Sequence, residues 1–217
     1  MMQFFNKCIC IMDKPKKRIT VFSDYICPFC FIGELRLAKL AKGVEFDIDW
    51  RFMEIHPDTP PEGMPLSALG YPKEHWDMLM TNLQRMARQE KVELANRTFT
   101  TNSHKAMLLA EAARQREPEA FKKLHVRLFE AYFVEEQNIG DETVLRKLAA
   151  ESDVSDETVK AAWNDAVFEN KLRENQEAAA MLEITGTPTF VIDEQILSGA
   201  VPTGMLAELL VEYEGPT

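Results

Sequence analysis

Cys27 and Cys30 stand three positions apart in Cys27-Pro28-Phe29-Cys30, between a segment with the composition of a strand, Arg18-Ile19-Thr20-Val21-Phe22-Ser23, and one that reads as a helix, Phe31 to Lys42. Two thiols in that setting suit redox chemistry. Pro28 fits the first position of a helix, where its missing N–H costs nothing and its fixed φ is already helical. A helix that begins there makes Cys27 the N-cap and turns its sulfur towards the free amides of the first turn. Those donors and the positive end of the helix dipole favour the thiolate, which is the nucleophile. Cys30 follows at i+3 on the same face, so the two Cα atoms fall within the roughly 4.4–6.8 Å that an unstrained disulfide spans. One cysteine can attack and the other resolve. Asp24, three residues before Cys27, is a candidate proton relay during exchange, or equally a helix cap or an acceptor for a nearby N–H.

Cys8 and Cys10 bring the thiols to four, the number that a closed zinc site needs. Cys-x-Cys is not the usual paired-ligand spacing, and His56, His75, His104 and His125 show no metal-ligand spacing either. A zinc site of Cys8, Cys10, Cys27 and Cys30 is therefore the weaker reading, and no metal is expected. Cys8 and Cys10 read as an incidental pair in a frayed terminus, and the histidines as surface or ordinary structural residues.

The 217 residues, 46% of them hydrophobic, suffice for a buried core in one large domain or in one domain with an insertion. Acidic residues outnumber basic ones 35 to 25, a net charge of -10, which speaks against nucleic acid or an anionic membrane surface as a partner. Between Met1 and Met12 the longest unbroken apolar run is Cys8 to Met12, shorter than the roughly 7–15-residue core of a secretion signal. No segment reads as long enough to span a bilayer. The expected location is the cytoplasm, where Cys-x-x-Cys is more often catalytic or metal-binding than structural.

Strict alternation in Val44-Glu45-Phe46-Asp47-Ile48-Asp49-Trp50-Arg51-Phe52 predicts a strand with one buried face. With the first strand and the helix between them, it makes a β-α-β unit whose connection is long enough for parallel pairing. After the turn-rich His56 to Pro65 stretch, strand signals vanish and helical spacing takes over. Trp76, Leu79, Met80, Leu83, Met86 and Ala87 mark one amphipathic helix; Phe121, Leu124, Leu128, Phe129 and Tyr132 mark another. Further helices fit Ser103–Gln115, Glu142–Ala150 and Asp156–Leu182, with Asp141 and Ser155 as caps. Strands return as a hairpin, Thr189–Ile192 and Ile196–Ser198 around Asp193-Glu194-Gln195, and a last helix runs from about Thr203 to Tyr213.

A β-α-β half and a β-β-α half, with Cys-x-x-Cys opening the first helix, resemble the thioredoxin arrangement. Gly186-Thr187-Pro188-Thr189 lies just before the hairpin, where thioredoxin-like proteins set a cis-proline against the disulfide. Ser23 to Gly33, Ile184 to Phe190 and Ser198-Gly199-Ala200 are similar to the motifs of the FrnE-like branch of the DsbA family. The resemblance runs from about Lys17 to Tyr213. One departure stands out: Met107 occupies the place of that family's histidine in Asn102-Ser103-His104-Lys105-Ala106-Met107, so no role for a histidine is carried over.

The resemblance implies an α/β thioredoxin-like fold with an all-helical insertion. Residues 1–16 form an extension, 17–60 and 183–217 the thioredoxin-like unit, and 61–182 the insertion, whose last helix returns to that unit. It implies a thiol-disulfide oxidoreductase working through a mixed disulfide. Cys27 and Cys30 are the catalytic pair, and Pro28, Phe29, Thr187, Pro188 and Asn102 face the substrate, Asn102 reading equally as a helix N-cap. The backbone of Thr187 would pair with a substrate strand. No cofactor is implied beyond the redox-active pair, with glutathione as a candidate co-substrate. Partners are a thiol- or disulfide-bearing protein or small molecule, and the chain itself is a monomer or homodimer. Phe29 cannot add the cation that a histidine supplies in strongly oxidising relatives, so a less depressed Cys27 pKa and a less oxidising couple are expected. The alternative is a small-molecule isomerase of the hydroxychromene-carboxylate type or a kappa-class-like glutathione transferase. Those relatives resemble each other in using serine at the nucleophile position, where this chain has Cys27.

Overall fold

The computed structural model describes residues 16–211. Ile19, Thr20, Val21 and Phe22 are β-branched or aromatic, suited to a pleated surface. They lie in strand β1 (Lys17–Ser23), whose last residues are buried on both faces. Helix α1 (Pro28–Leu40) leads to β2 (Phe46–Phe52), parallel to β1 with Ile19 opposite Ile48 and Ser23 opposite Phe52. The strand starts later than the alternation suggests, because the Gly43 and Val44 amides both turn back to the Leu40 carbonyl and close the helix. Its polar face turns from exposed at Asp47 to half-buried at Asp49 and Arg51. Arg51 and Asp49 pair there at 2.9 Å, and Arg114 reaches Asp49 at 4.0 Å.

Two short strands, β3 (Met64–Pro65) and β4 (Phe99–Thr100), pair across the first part of the insertion. Two residues are too few to show a period, so the expectation that strands vanish here is corrected. Helices α2 (Lys73–Glu90), α3 (His104–Arg116), α4 (Pro118–Phe133), α5 (Glu142–Glu151), α6 (Asp156–Asn164) and α7 (Ala166–Met181) complete the insertion. The single helix expected over 156–182 is two. Asp165 is extended (φ -99°, ψ 117°) and its side chain accepts from the Val167 amide at 3.0 Å, starting α7 afresh. Asp141 and Ser155 cap α5 and α6 as expected, accepting first-turn amides.

The chain then returns through β5 (Thr189–Ile192) and β6 (Gln195–Ser198) to α8 (Thr203–Val211). The hairpin turn is tighter than expected. Ile192 pairs with Gln195, so only Asp193 and Glu194 form it, with Asp193 at φ 53°. The described part of α8 ends at Val211, so Tyr213 lies outside the described residues, as do Cys8 and Cys10. The main sheet has the order β2-β1-β5-β6, with β5 antiparallel to both of its neighbours. This is a thioredoxin-like α/β fold with the helices α2 to α7 inserted between β2 and β5.

One apolar core runs through sheet and insertion. Phe31 of α1 stacks on Phe129 and Phe133 of α4 at 5.6 and 5.7 Å, and Tyr25 stacks on Phe52 at 5.1 Å. Charges inside it are paired, since an unpaired buried charge is costly. Glu111 of α3, fully buried, takes Arg114 at 2.7 Å and Asn175 at 3.1 Å; Asn175 also donates to the Phe52 carbonyl at the end of β2. Arg36 of α1 pairs with Glu90 at 2.8 Å and donates to the Ala200 and Val201 carbonyls, tying α1 to the end of α2 and to the turn after β6.

Candidate active site

Cys27 is the N-cap of α1, with Pro28 as the first helical residue, and its carbonyl accepts the Cys30 amide at 3.0 Å. Both thiols are free and buried, 5% and 3% exposed. The Cys27 sulfur makes no well-aligned capping bond to a first-turn amide. Instead it donates to the Thr187 carbonyl at 3.3 Å, across the cleft from the segment that precedes β5. The Thr187-Pro188 bond is cis and Pro188 is buried. Gly33, one turn beyond Cys30, permits this approach: a Cβ there would come within 3.1 Å of the Phe190 ring and 3.7 Å of Pro188.

The two thiols are unequal. The Cys30 thiol, donating to Cys27, pulls the Cys27 pKa down; the Thr187 side chain and the Cys30 backbone N–H add to this, against burial and the charge of Asp24. Burial pushes Cys30 well up, and its hydrogen bond to Cys27 and the neighbouring charge push it further. The Thr187 hydroxyl is buried beside both sulfurs.

Asp24 is fully buried, and its carboxyl accepts the Ile26 amide at 3.0 Å and the Ile55 amide at 2.8 Å. Burial outweighs these bonds and lifts its pKa to about 6, where a carboxyl exchanges protons near neutral pH. Its own backbone N–H points at the Cys30 sulfur at 3.4 Å. The buried hydroxyl of Ser103 faces the carboxyl and holds its pKa down, and the charge of Glu54 holds it up.

Phe29 and Pro28 are half-buried beside the pair, and Phe29 packs against the cluster of Ile32 and Ala200 with Leu83 and Ala87 of α2, so the insertion supplies an apolar wall there. Asn102 ties the loop after β2 to the start of α3. Its amide donates to the Pro57 carbonyl at 3.0 Å and its oxygen accepts the His104 amide at 2.9 Å. Both polar ends are engaged by the framework. His125, 3% exposed, bonds the Tyr25 hydroxyl at 2.8 Å, while His104 lies between Glu54 and Glu169. The sequence marked neither arrangement, nor Ser103, because the partners lie far apart in the chain. Among the described residues no three His, Cys, Asp or Glu side chains are arranged to hold a metal ion, and no helix is long and apolar enough to cross a membrane.

Several known proteins are similar to this chain. The uncharacterized protein YwbO of Bacillus subtilis (strain 168) is 30% identical over 183 residues, 84% of this chain and 90% of its own length. The probable DsbA oxidoreductase SCO1869 from Streptomyces coelicolor superposes with a TM-score of 0.78 at 23% identity, over 93% of each chain. A 2-hydroxychromene-2-carboxylate isomerase gives 0.70 at 18% identity, over 88% of this chain and 93% of its own. The cytosolic disulfide reductase DsbM from Pseudomonas aeruginosa gives 0.64 at 19% identity, over 89% and 98%. At these identities the structural likeness speaks for the fold alone, which disulfide exchange and isomerisation share. The sequence itself matches the family described as DSBA-like thioredoxin domain over residues 18–211, essentially the whole described chain, and the protein belongs to that family.

Proposed function

We propose that the protein is a thiol-disulfide oxidoreductase, FrnE-like within its family, in which Cys27 is the nucleophile and Cys30 the resolving thiol. The observation that carries this reading is the geometry of the pair: two free, buried thiols at the start of α1, with Cys27 at the N-cap and 3.3 Å from the Thr187 carbonyl that precedes the cis proline. Serine-based isomerisation has no use for a second buried thiol at i+3.

In the reducing direction the Cys27 thiolate attacks one sulfur of a substrate disulfide. A Cys27–substrate S–S bond forms, and the other substrate sulfur leaves as a thiolate and takes a proton. Cys30 then gives its proton to the Asp24 carboxylate and attacks the Cys27 sulfur. The Cys27–Cys30 disulfide forms, the second substrate thiol departs, and two electrons have moved from the protein pair to the substrate. The oxidising direction is the same sequence reversed. Phe29, with Pro28, Thr187 and Pro188, forms the surface that meets the substrate. The cytoplasm as location and glutathione as co-substrate belong to the same proposal, supported by the likeness to a cytosolic disulfide reductase.

Cys30→Ser keeps the attacking thiol and removes resolution, so mixed disulfides on Cys27 should accumulate with a disulfide substrate such as oxidised glutathione. Cys27→Ser should form none. Full disulfide reductase activity in Cys27→Ser would overturn the proposal in favour of small-molecule chemistry elsewhere in the cleft.

A further inference from the structure

The start of α3 is stitched to the loop that leaves β2. Asn102 holds the Pro57 carbonyl at 3.0 Å, and His104 Nδ1 meets the Glu54 carboxylate at 3.0 Å. The other ring nitrogen of His104 meets Glu169, in the first turn of α7, at 2.9 Å. Glu54 adjoins Ile55, whose amide donates to Asp24 at 2.8 Å. A line of contacts therefore runs from α7 through His104 and the loop to the carboxyl beside the two thiols.

We propose that His104 is a positioning residue for the thiol chemistry: by gripping Glu54 it keeps the Ile55 amide on Asp24 and offsets the charge of Glu54, and so sets the pH at which Asp24 can take the Cys30 proton. The inference rests on the oxidoreductase reading and deepens it.

With a carboxylate on each ring nitrogen, His104 must donate twice, and only the imidazolium carries two N–H donors. Its pKa is accordingly raised to about 9, first by the hydrogen bond to Glu54, with burial opposing. The cation sits against the carboxylate whose charge raises the Asp24 pKa. Remove it and two changes act in one direction. Glu54 faces Asp24 uncompensated, and the released loop carries the Ile55 donor away, which deprives the Asp24 carboxylate of a bond that favours it. The titratable groups facing Asp24 are Cys27 and Cys30 at α1, Glu54 in the loop and the adjacent Tyr25; those facing His104 are Glu54 and Glu169.

The test follows the Asp24 carboxyl by carbon-13 NMR, and the rate of Cys27–Cys30 closure after reaction with a small aromatic disulfide, both against pH. His104→Gln should move both midpoints upward by about one pH unit, the low end of the effect of a nearby charge. Glu54→Gln should move them downward, the double variant should lie between, and His104→Lys, which keeps a cation on Glu54, should return them towards the parent. If a folded His104→Gln protein keeps its Asp24 midpoint, the proposal falls. Should His104→Gln not fold, Glu54→Gln removes the pair from the other side, and an unmoved midpoint there is equally fatal. A parent protein that performs no disulfide exchange while its Asp24 midpoint still responds to His104 would overturn the oxidoreductase reading instead.

Discussion

Two histidines join the insertion to the sheet, and their surroundings have little in common. His125 of α4 stands in an aromatic cage, 4.1 Å from the Trp50 ring and 5.3 Å from Phe129 between centroids, with the Tyr25 hydroxyl on one nitrogen and the Glu34 carboxylate 3.4 Å from the other. His104 of α3 is half-buried between two carboxylates from separate elements. The first contact belongs to a large apolar seam that holds the two parts of the molecule together. The second adds little buried area and a fixed charge. Asp24 and Tyr25 are neighbours in the chain, yet Asp24 belongs to the charged seam and Tyr25 to the aromatic one. The residues just before the cysteine pair are thus held by burial on one side and tuned by charge on the other.

The contrast can be broken most forcefully in the aromatic seam. Phe129→Ala removes a fully buried ring that contacts Tyr25, Phe31, Phe133 and His125, and should lower the urea unfolding free energy by about 3–5 kcal/mol. The order of thiol reactivity in the folded fraction should survive. Asp24→Asn attacks the other seam. Closure of the pair should slow by about 10²-fold at neutral pH, the low end for a lost acid–base group, and lose its dependence on pH near 6. A closure rate that kept this dependence would take Asp24 out of the chemistry.

Tyr25→Phe deprives buried His125 of its hydroxyl partner, a loss of about 1–3 kcal/mol, measurable by denaturation and without effect on the pH midpoint of thiol exchange. The smallest effect is pH-dependent stability. His104 has a folded pKa of about 9, above its ordinary 6.5, so its contribution is complete below about 6.5 and fades as pH rises through 9. Asp24 likewise binds its proton more tightly when folded, so its contribution falls between pH 3.8 and about 6. Comparing His104→Gln and Asp24→Asn with the parent should remove one slope each, in those separate windows.

Much of this was legible before any coordinates. The Cys27–Cys30 spacing, the Pro28 helix start, the period of β2 and the capping residues Asp141 and Ser155 are local signals, and local physics carries them into the fold. What was not legible depends on meetings at a distance. Glu54, His104 and Glu169 come together from three elements, and no spacing announces it. The motif around Asn102 offers a substrate contact or a helix cap, and only the fold shows its hydrogen bonds joining the loop after β2 to the start of α3. The break at Asp165 had a local signal, Asn164-Asp165 before the apolar run Ala166-Val167-Phe168, but helix-favouring stretches lie on either side of it.

The central claim is the proposed division of labour, Cys27 as nucleophile and Cys30 as resolving thiol. Its most direct test is competitive alkylation of the folded dithiol protein across pH, with each labelled cysteine assigned by mass spectrometry. Cys27 should label first at mildly acidic pH, and Cys30 should resist until well above the ordinary thiol pKa of about 8.5; in Cys30→Ala, without the donor that lowers it, Cys27 should become less acidic. Labelling of Cys30 ahead of Cys27, or two cysteines titrating alike, would contradict the assignment.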